Sequence, residues 1–182
     1  RLQSAATSLP QEAAALQGQS ILVIDYEVPQ FDKYAGSRTT FMYLKLLAEL
    51  GLKVYFLPDD FERREPYSSA LEELGITVLE GEWYRENWQR WVLEHGQELN
   101  YVLFNRPNIT VSYIDFIRAH TESVLLFQGH DLHYLRLSRK YEVDGDPETL
   151  REAESYRQIE FEIIEKSDAT LTYSDYERQV LA

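Results

Sequence analysis

The sequence predicts an α/β domain with a doubly wound, mostly parallel sheet of about six strands and helices on both faces. Short apolar runs alternate with stretches whose apolar residues recur at helical spacing. The runs are apolar throughout and do not alternate with polar residues, which is typical of parallel strands covered on both faces. Glycine also ends predicted helices shortly before a strand begins, as expected of repeated βα units.

The first half of the chain contains three predicted strands and two helices. The spacing of Tyr67, Leu71 and Leu74 supports the second helix, and Gly51 and Gly75 follow the two helices as stop signals. We expect strands at 21–24, 54–57 and 76–79, and helices at 39–50 and 67–74.

The second half continues the same alternation. Asp146 and Pro147 open a long helix that runs to about Lys166, and Ser174 with Glu177 forms a capping box that starts a final helix. We expect the remaining helices at 83–95 and 111–120, and strands at 101–104, 124–127 and 169–172. Residues 1–18, rich in Ala and Gln, are interpreted as a leader or linker, and 19–182 as the domain.

Composition excludes several classes of protein. The chain has no cysteine, which rules out disulfides and thiolate metal sites and favours a reducing cytoplasm. Its net charge of -13 argues against a general nucleic-acid binder, because phosphate backbones are held by an excess of Lys and Arg. No apolar run approaches the roughly 18 residues of a transmembrane helix. We therefore expect a cytoplasmic protein without nucleic-acid partners.

Two of the four histidines follow the apolar strand 124–127 directly. His130, beside Asp131, suits proton transfer near neutral pH or hydrogen bonding to a substrate, and it is the predicted catalytic residue; a structural loop histidine is the alternative. His133 and Arg136 share a face if this segment is helical. No third ligand with suitable spacing follows the histidines, so we expect no metal.

The loop after the first strand is long and ends in Gly36 and Ser37 at a helix start. Gly36 lets the backbone approach a ligand, and the N–H groups from Ser37 onward, with Arg38 beside them, suit a phosphate. A simple N-cap in a flexible turn is the alternative. The loop is neither a Walker A motif nor a dinucleotide-binding fingerprint.

Polar residues also end two other predicted strands. Asn105 and Arg106 close the strand 101–104, and the planar guanidinium of Arg106 suits a carboxylate or phosphate, or else pairs with an acid of its own domain. Asp25 ends the first strand as in the receiver domains of two-component signalling. Those domains need a second adjacent acid and an aspartate after the third strand, where this chain has Tyr26 and Glu80.

Four segments together resemble the amino-terminal domain of a GT-B glycosyltransferase of the large retaining family 4, or group 1, which uses nucleotide sugars. The resemblance covers residues 20 to 182 and depends on the order and spacing of the segments. These are the loop ending at 35–39, the turn at 105–107, the Gly-His-Asp-Leu run at 129–132, and the strand, serine and helix start at 167–177.

The resemblance implies a role for each segment. The first loop, at Gly36 and Ser37, would approach the phosphates of the donor, and His130 would contact the transferred sugar. Arg106 would be a pocket or acceptor contact. Many relatives carry two glycines in the first loop, where this chain has Ala35 and Gly36. The resemblance further implies a metal-free reaction without a cofactor.

The same resemblance implies that the chain is half of an enzyme. The residues that grip the nucleotide belong to a carboxyl-terminal donor domain that this sequence lacks, so we expect the isolated domain to be inactive. Two other interpretations stay open. One is a complete small α/β hydrolase or isomerase that uses His130 and Asp131; the other is a partner-binding module that makes contacts through Trp83, Trp88 and Trp91.

Overall fold

The structure, a computed structural model, describes residues 14–181. The expectation of a leader or linker at 1–18 falls mostly on residues outside this range. The strands are β1 (Ser20–Asp25), β2 (Lys53–Pro58), β3 (Thr77–Val78), β4 (Tyr101–Asn105), β5 (Val124–Gln128) and β6 (Ala169–Leu171). The helices are α1 (Ala35–Glu49), α2 (Tyr67–Glu73), α3 (Glu82–His95), α4 (Pro107–Thr110), α5 (Ile114–His120), α6 (His133–Asp144), α7 (Pro147–Lys166) and α8 (Asp175–Val180).

The six strands form one parallel sheet in the order β3-β2-β1-β4-β5-β6. All five pairings are parallel, so the predicted doubly wound α/β fold is confirmed. The chain winds outward from β1 in one direction and from β4 in the other. The crevice outside the carboxyl ends of β1 and β4 is therefore the switch point at which such sheets bind ligands.

The core lies on both faces of the sheet because every central strand is apolar on both sides. One face packs against α1 and α2 through buried residues that include Leu44 and Leu71. The other face packs against α3, α5 and α7, which contribute Trp91, Ile117 and Ile163. Helices thus cover both faces, as the uninterrupted apolar strands predict.

The ends of two helices follow the predicted caps. Asp146 accepts a hydrogen bond from the backbone N–H of Glu148 at 3.0 Å, and Ser174 accepts one from Glu177 at 3.2 Å. Both side chains satisfy N–H groups that have no partner within the helix.

Two segments differ from the prediction. The expected helix 111–120 starts later, at Ile114 (α5), and a separate short helix, α4, precedes it at 107–110. The segment after His130 is helical from His133. The start of α6 has no cap from its own turn. Instead the buried carboxylate of Glu160, on α7, accepts hydrogen bonds from the backbone of His133 at 2.7 Å and of Tyr134 at 3.0 Å. Within residues 14–181, no helix is both long and apolar enough to cross a bilayer.

Candidate functional site

The carboxyl ends of β1, β4 and β5 bring most of the predicted site residues to one edge of the sheet. Asp25 ends β1, Asn105 ends β4, and Gln128 ends β5, directly opposite Asn105. All three side chains are buried. Arg106 and His130 follow β4 and β5, and the first turn of α1 lies beside them, as the approach of Gly36 to Arg106 shows.

Asp25 is the centre of a hydrogen-bond network that the sequence analysis did not assign to the site. Its Oδ1 accepts from the backbone N–H of Tyr26 at 2.7 Å and from Nε of Arg106 at 2.8 Å. Its Oδ2 accepts from the hydroxyl of Thr40, on α1, at 2.9 Å. One buried carboxylate thus fixes the end of β1, the start of α1 and the turn after β4 relative to one another.

Arg106 pairs with an acid of its own domain and still presents part of its guanidinium. Only Nε bonds Asp25; Nη1 and Nη2 have no hydrogen-bond partner among residues 14–181. A Cβ placed on Gly36 would lie 3.8 Å from Nη2. The backbone of Arg106 is left-handed, with φ 66°, which is unusual for a residue other than glycine. The outer nitrogens therefore lie next to the first turn of α1.

The first loop and α1 form the wall of a groove of about 520 Å³. It is lined by Tyr26, Glu27, Gln30, Tyr34, Gly36, Ser37 and Arg106. The helix begins at Ala35, four residues before the predicted start, and Tyr34 is its N-cap residue without a side-chain hydrogen bond. Ser37 is buried within the first turn, so it is not the N-cap. Arg38 is exposed and is not among the groove residues.

The first loop is held in place from two sides. The hydroxyl of Tyr67 donates to Asp32 at 2.6 Å, and Nε of Arg64 lies 3.4 Å from Glu27. Phe31 packs at 4.2 Å between ring centroids against Phe41. These contacts anchor the loop to α2, to the segment before α2 and to α1.

His130 lies beside a small cavity between β5 and the turn after β6. Its Nε2 is buried and has no hydrogen-bond partner among the described residues. The cavity holds about 10 Å³, about the space of one water molecule. The ring of Tyr173 lies nearly parallel to the imidazole, with centroids 6.3 Å apart. His130 and Tyr173 thus both line this small, partly open cavity.

The surroundings of His130 favour the neutral form of its imidazole. Burial lowers its pKa below the usual value of 6.5, and the cation of Arg106 acts in the same direction. The carboxylate of Asp25 opposes this effect without reversing it. A neutral imidazole with a buried, unpartnered nitrogen can exchange a hydrogen bond with a ligand hydroxyl or a water.

Asp131, His133 and Arg136 bind one another next to this cavity. Oδ1 of Asp131 lies 3.1 Å from Nε2 of His133, and Oδ2 accepts from Nε of Arg136 at 2.7 Å. The hydrogen bond from His133, together with that from Arg136, lowers the pKa of Asp131 to about 2. No hydrogen bond links Asp131 to His130 among the described residues, and Nε2 of His130 has no partner there. His133 and Arg136 share one helix face as predicted.

A second set of polar contacts links Asn105 to α1. The amide nitrogen of Asn105 donates to the hydroxyl of Tyr43 at 2.5 Å, and that hydroxyl lies 3.4 Å from Oγ1 of Thr40. Burial raises the pKa of Tyr43 far above its usual range, so the phenol stays protonated. Asn105 thus links β4 to α1 and does not line the groove. Its amide oxygen, Oδ1, is buried and has no partner among the described residues.

The sequence reasoning missed three residues of this edge: Thr40, Tyr43 and Tyr173. The position of Asp25 could have placed it in the site, since a charged residue at the end of an apolar central strand lies at the sheet edge where ligands bind. Tyr173 lies one residue before the capping serine of α8, and its hydroxyl accepts from Gln128 at 2.8 Å. Nothing in the local pattern marks Thr40 or Tyr43.

The three tryptophans do not form one exposed surface. Trp91 is buried in the core. Trp88 packs against the core, and the centroid of its ring lies 4.7 Å from that of Tyr113. Only Trp83 is substantially exposed, with 47% of its surface accessible. A contact surface built from all three residues is therefore wrong.

No three His, Asp or Glu side chains among residues 14–181 are grouped so that they could hold a metal ion. The expected metal-free reaction stays a prediction. A scan against protein-family models and a search of curated proteins both found no match to this chain.

Proposed function

We propose that this chain is the acceptor-side domain of a glycosyltransferase that moves a sugar from a nucleotide sugar to an acceptor. The observation that carries the proposal is the convergence of Arg106, the first turn of α1 and His130 at the switch point of the sheet. A cation and backbone N–H groups in the groove, with a neutral imidazole in a second cavity at the same edge of the sheet, match the parts of a sugar diphosphate. The resemblance of the first loop and the Gly-His-Asp-Leu run to family 4 supports the same assignment.

The phosphates of the donor would lie between α1 and Arg106. The amino end of a 15-residue helix carries a partial positive charge, and its first turn contains no acidic residue. The outer nitrogens of Arg106 add further N–H donors; Asp25 holds the guanidinium in a fixed direction and offsets part of its positive charge. These groups stabilise the charge that develops on the departing diphosphate, which is the main electrostatic requirement of the reaction.

His130 would orient the transferred sugar through Nε2. Its cavity has room for about one water, so a sugar reaches the imidazole only when the wall formed by Tyr173 moves. Tyr173 is 55% exposed and belongs to the short segment between β6 and α8. The imidazole then replaces its missing hydrogen bond by one to a sugar hydroxyl, which favours a single orientation of the donor.

The donor domain that completes the site would be the partner of this domain, and the reaction would need no metal or other cofactor. The lack of cysteine fits a reducing cytoplasm, where we place the reaction. A stand-alone hydrolase that uses His130 with Asp131 has less support, because the carboxylate of Asp131 bonds His133 and Arg136 and no hydrogen bond joins it to His130 among the described residues.

The test uses the full-length protein and a panel of nucleotide sugars, with release of nucleoside diphosphate as the readout. We expect His130→Ala to lower kcat about 100-fold, the scale of one lost transition-state contact, with the thermal unfolding of the protein unchanged. His120→Ala is the matched control, because His120 is an exposed histidine on α5. Equal activity of the His130 variant and the wild type would refute the assignment. Robust turnover by residues 1–182 alone would refute the half-enzyme.

A further inference from the structure

We propose that the part of the groove formed by Tyr26, Glu27, Gln30 and Tyr34 is a saccharide site, and that the acceptor is a neutral sugar. These four residues form the loop wall. Its role as the acceptor site rests on the proposed function, whereas saccharide binding itself does not. The groove volume of about 520 Å³ falls within the roughly 300–1,000 Å³ of small-molecule sites.

The loop wall presents two tyrosines that the core does not use. Tyr26 is 51% exposed and Tyr34 is 58% exposed. Neighbouring apolar residues of the same loop point inward instead, since Val28 is fully buried and Phe31 packs against Phe41 and Tyr67. Exposed tyrosine rings in a groove offer an apolar face for the C–H groups of a pyranose and a hydroxyl for its oxygens.

The polar groups of the loop wall favour hydroxyls over an anion. Glu27 and Gln30 provide both acceptors and donors, and they already bond each other at 3.3 Å. Sugar hydroxyls donate and accept, so they match such a mixed set. Glu27 contributes a carboxylate to the wall, and although Arg64 pairs with it, that carboxylate disfavours an anionic ligand directly beside it. Gly36, Ser37 and Arg106 line the rest of the groove, so the donor phosphates and a neutral acceptor would bind next to each other on different residues.

The loop wall is formed before any ligand arrives. The bonds of Tyr67 to Asp32 and of Arg64 to Glu27 hold its two ends, and Lys33 donates to Gln30 at 2.8 Å. A site that is held in this way loses little conformational entropy on binding. The loop wall also adjoins Gly36 and Arg106, so a hydroxyl of the bound sugar lies near the position proposed for the donor phosphates.

The test measures sugar binding to the 182-residue chain by saturation-transfer difference NMR, with maltose, cellobiose, lactose and methyl α-mannoside as the probes. We expect signals on the C–H protons of at least one probe, and we expect Tyr26→Ala and Tyr34→Ala each to weaken its binding about tenfold. The matched control is Tyr176→Ala, which removes a similarly exposed tyrosine of α8 that does not line the groove. Circular dichroism and thermal unfolding verify that each variant is folded.

Three results overturn the proposal: no signal for any probe, binding that both tyrosine variants leave unchanged, or displacement of the bound sugar by inorganic phosphate. The last result would identify an anion site. The assay contains no nucleotide sugar, so its outcome is separate from that of the transfer assay. If the chain binds a saccharide but the full-length protein transfers no sugar, the saccharide site stands and the proposed transferase function fails. If the protein transfers sugar but the chain binds no saccharide, the transferase function stands and the saccharide site fails.

Discussion

Nε of Arg106 donates to Oδ1 of Asp25 over 2.8 Å, although the two residues are 81 positions apart in the chain. The bond joins the ends of β1 and β4, the two strands from which the sheet winds in opposite directions. The carboxylate is almost completely buried, and 36% of the arginine side chain is exposed. The pair therefore fixes the edge of the sheet while part of the cation faces the groove.

We expect Asp25→Ala to lower the free energy of unfolding by about 2 kcal/mol, less than the loss typical of a fully buried pair because Arg106 is partly exposed. Arg106→Ala and the double variant complete a double-mutant cycle, measured by urea denaturation. The coupling energy should be at least about 1 kcal/mol. If the losses in unfolding free energy of the two single variants add up to that of the double variant, the bond contributes nothing to stability.

Substitutions of Gly36 should separate stability from donor binding. A Cβ there makes only an ordinary 3.8 Å contact with Nη2 of Arg106, so Gly36→Ala should leave the melting temperature unchanged or slightly higher. Gly36→Val adds bulk where the donor phosphates would lie. We expect the full-length Val variant to bind the donor about tenfold more weakly, a loss of about 1.4 kcal/mol. Calorimetric titration of both variants provides the comparison; equal affinities would place the phosphates elsewhere.

His130 should make stability depend on pH near neutrality. The folded protein holds the pKa of His130 below 6.5, whereas the unfolded chain binds the proton near that value. Below about pH 6.5 the unfolded state therefore binds more protons, and the free energy of unfolding falls as the pH decreases. We expect His130→Gln to reduce the loss of stability between pH 7.5 and 5.5, as measured by urea denaturation at each pH. The same series with His120→Gln, an exposed position, should follow the wild type.

Asp131 should contribute to stability at acid pH. Its pKa of about 2 lies below the usual 3.8, so its contribution is present above about pH 4 and is lost as the pH falls towards 2. Because 40% of the side chain is exposed, solvent screening limits the contribution to about 1 kcal/mol. Thermal unfolding of Asp131→Asn between pH 5 and 2.5 should show a flatter decline than the wild type. Parallel curves would mean that the bonds to His133 and Arg136 add no stability.

The sequence predicts the strands of the sheet, but it does not predict the long-range hydrogen bonds that hold the elements around them. Parallel strands are apolar along their whole length, so their positions and those of the residues that follow them, Arg106 and His130, can be predicted from local pattern. Helix α6 was missed because its start is capped by Glu160, 26 positions further along the chain than Tyr134. The bond of Asp25 to Arg106 is equally non-local. Such partners are set by the folded arrangement of elements and leave no periodic signal.

The backbone at Arg106 and at His130 has positive φ, 66° and 67°, at the ends of two neighbouring strands. A residue with a side chain is held there at a cost of about 1 kcal/mol or more. Glycine at 130 would relax the chain at the cost of the imidazole, whereas glycine at 106 would also leave the buried carboxylate of Asp25 without its partner. Variants selected only for heat resistance should therefore accumulate glycine at 130 and retain Arg106, so that the imidazole disappears while the fold persists.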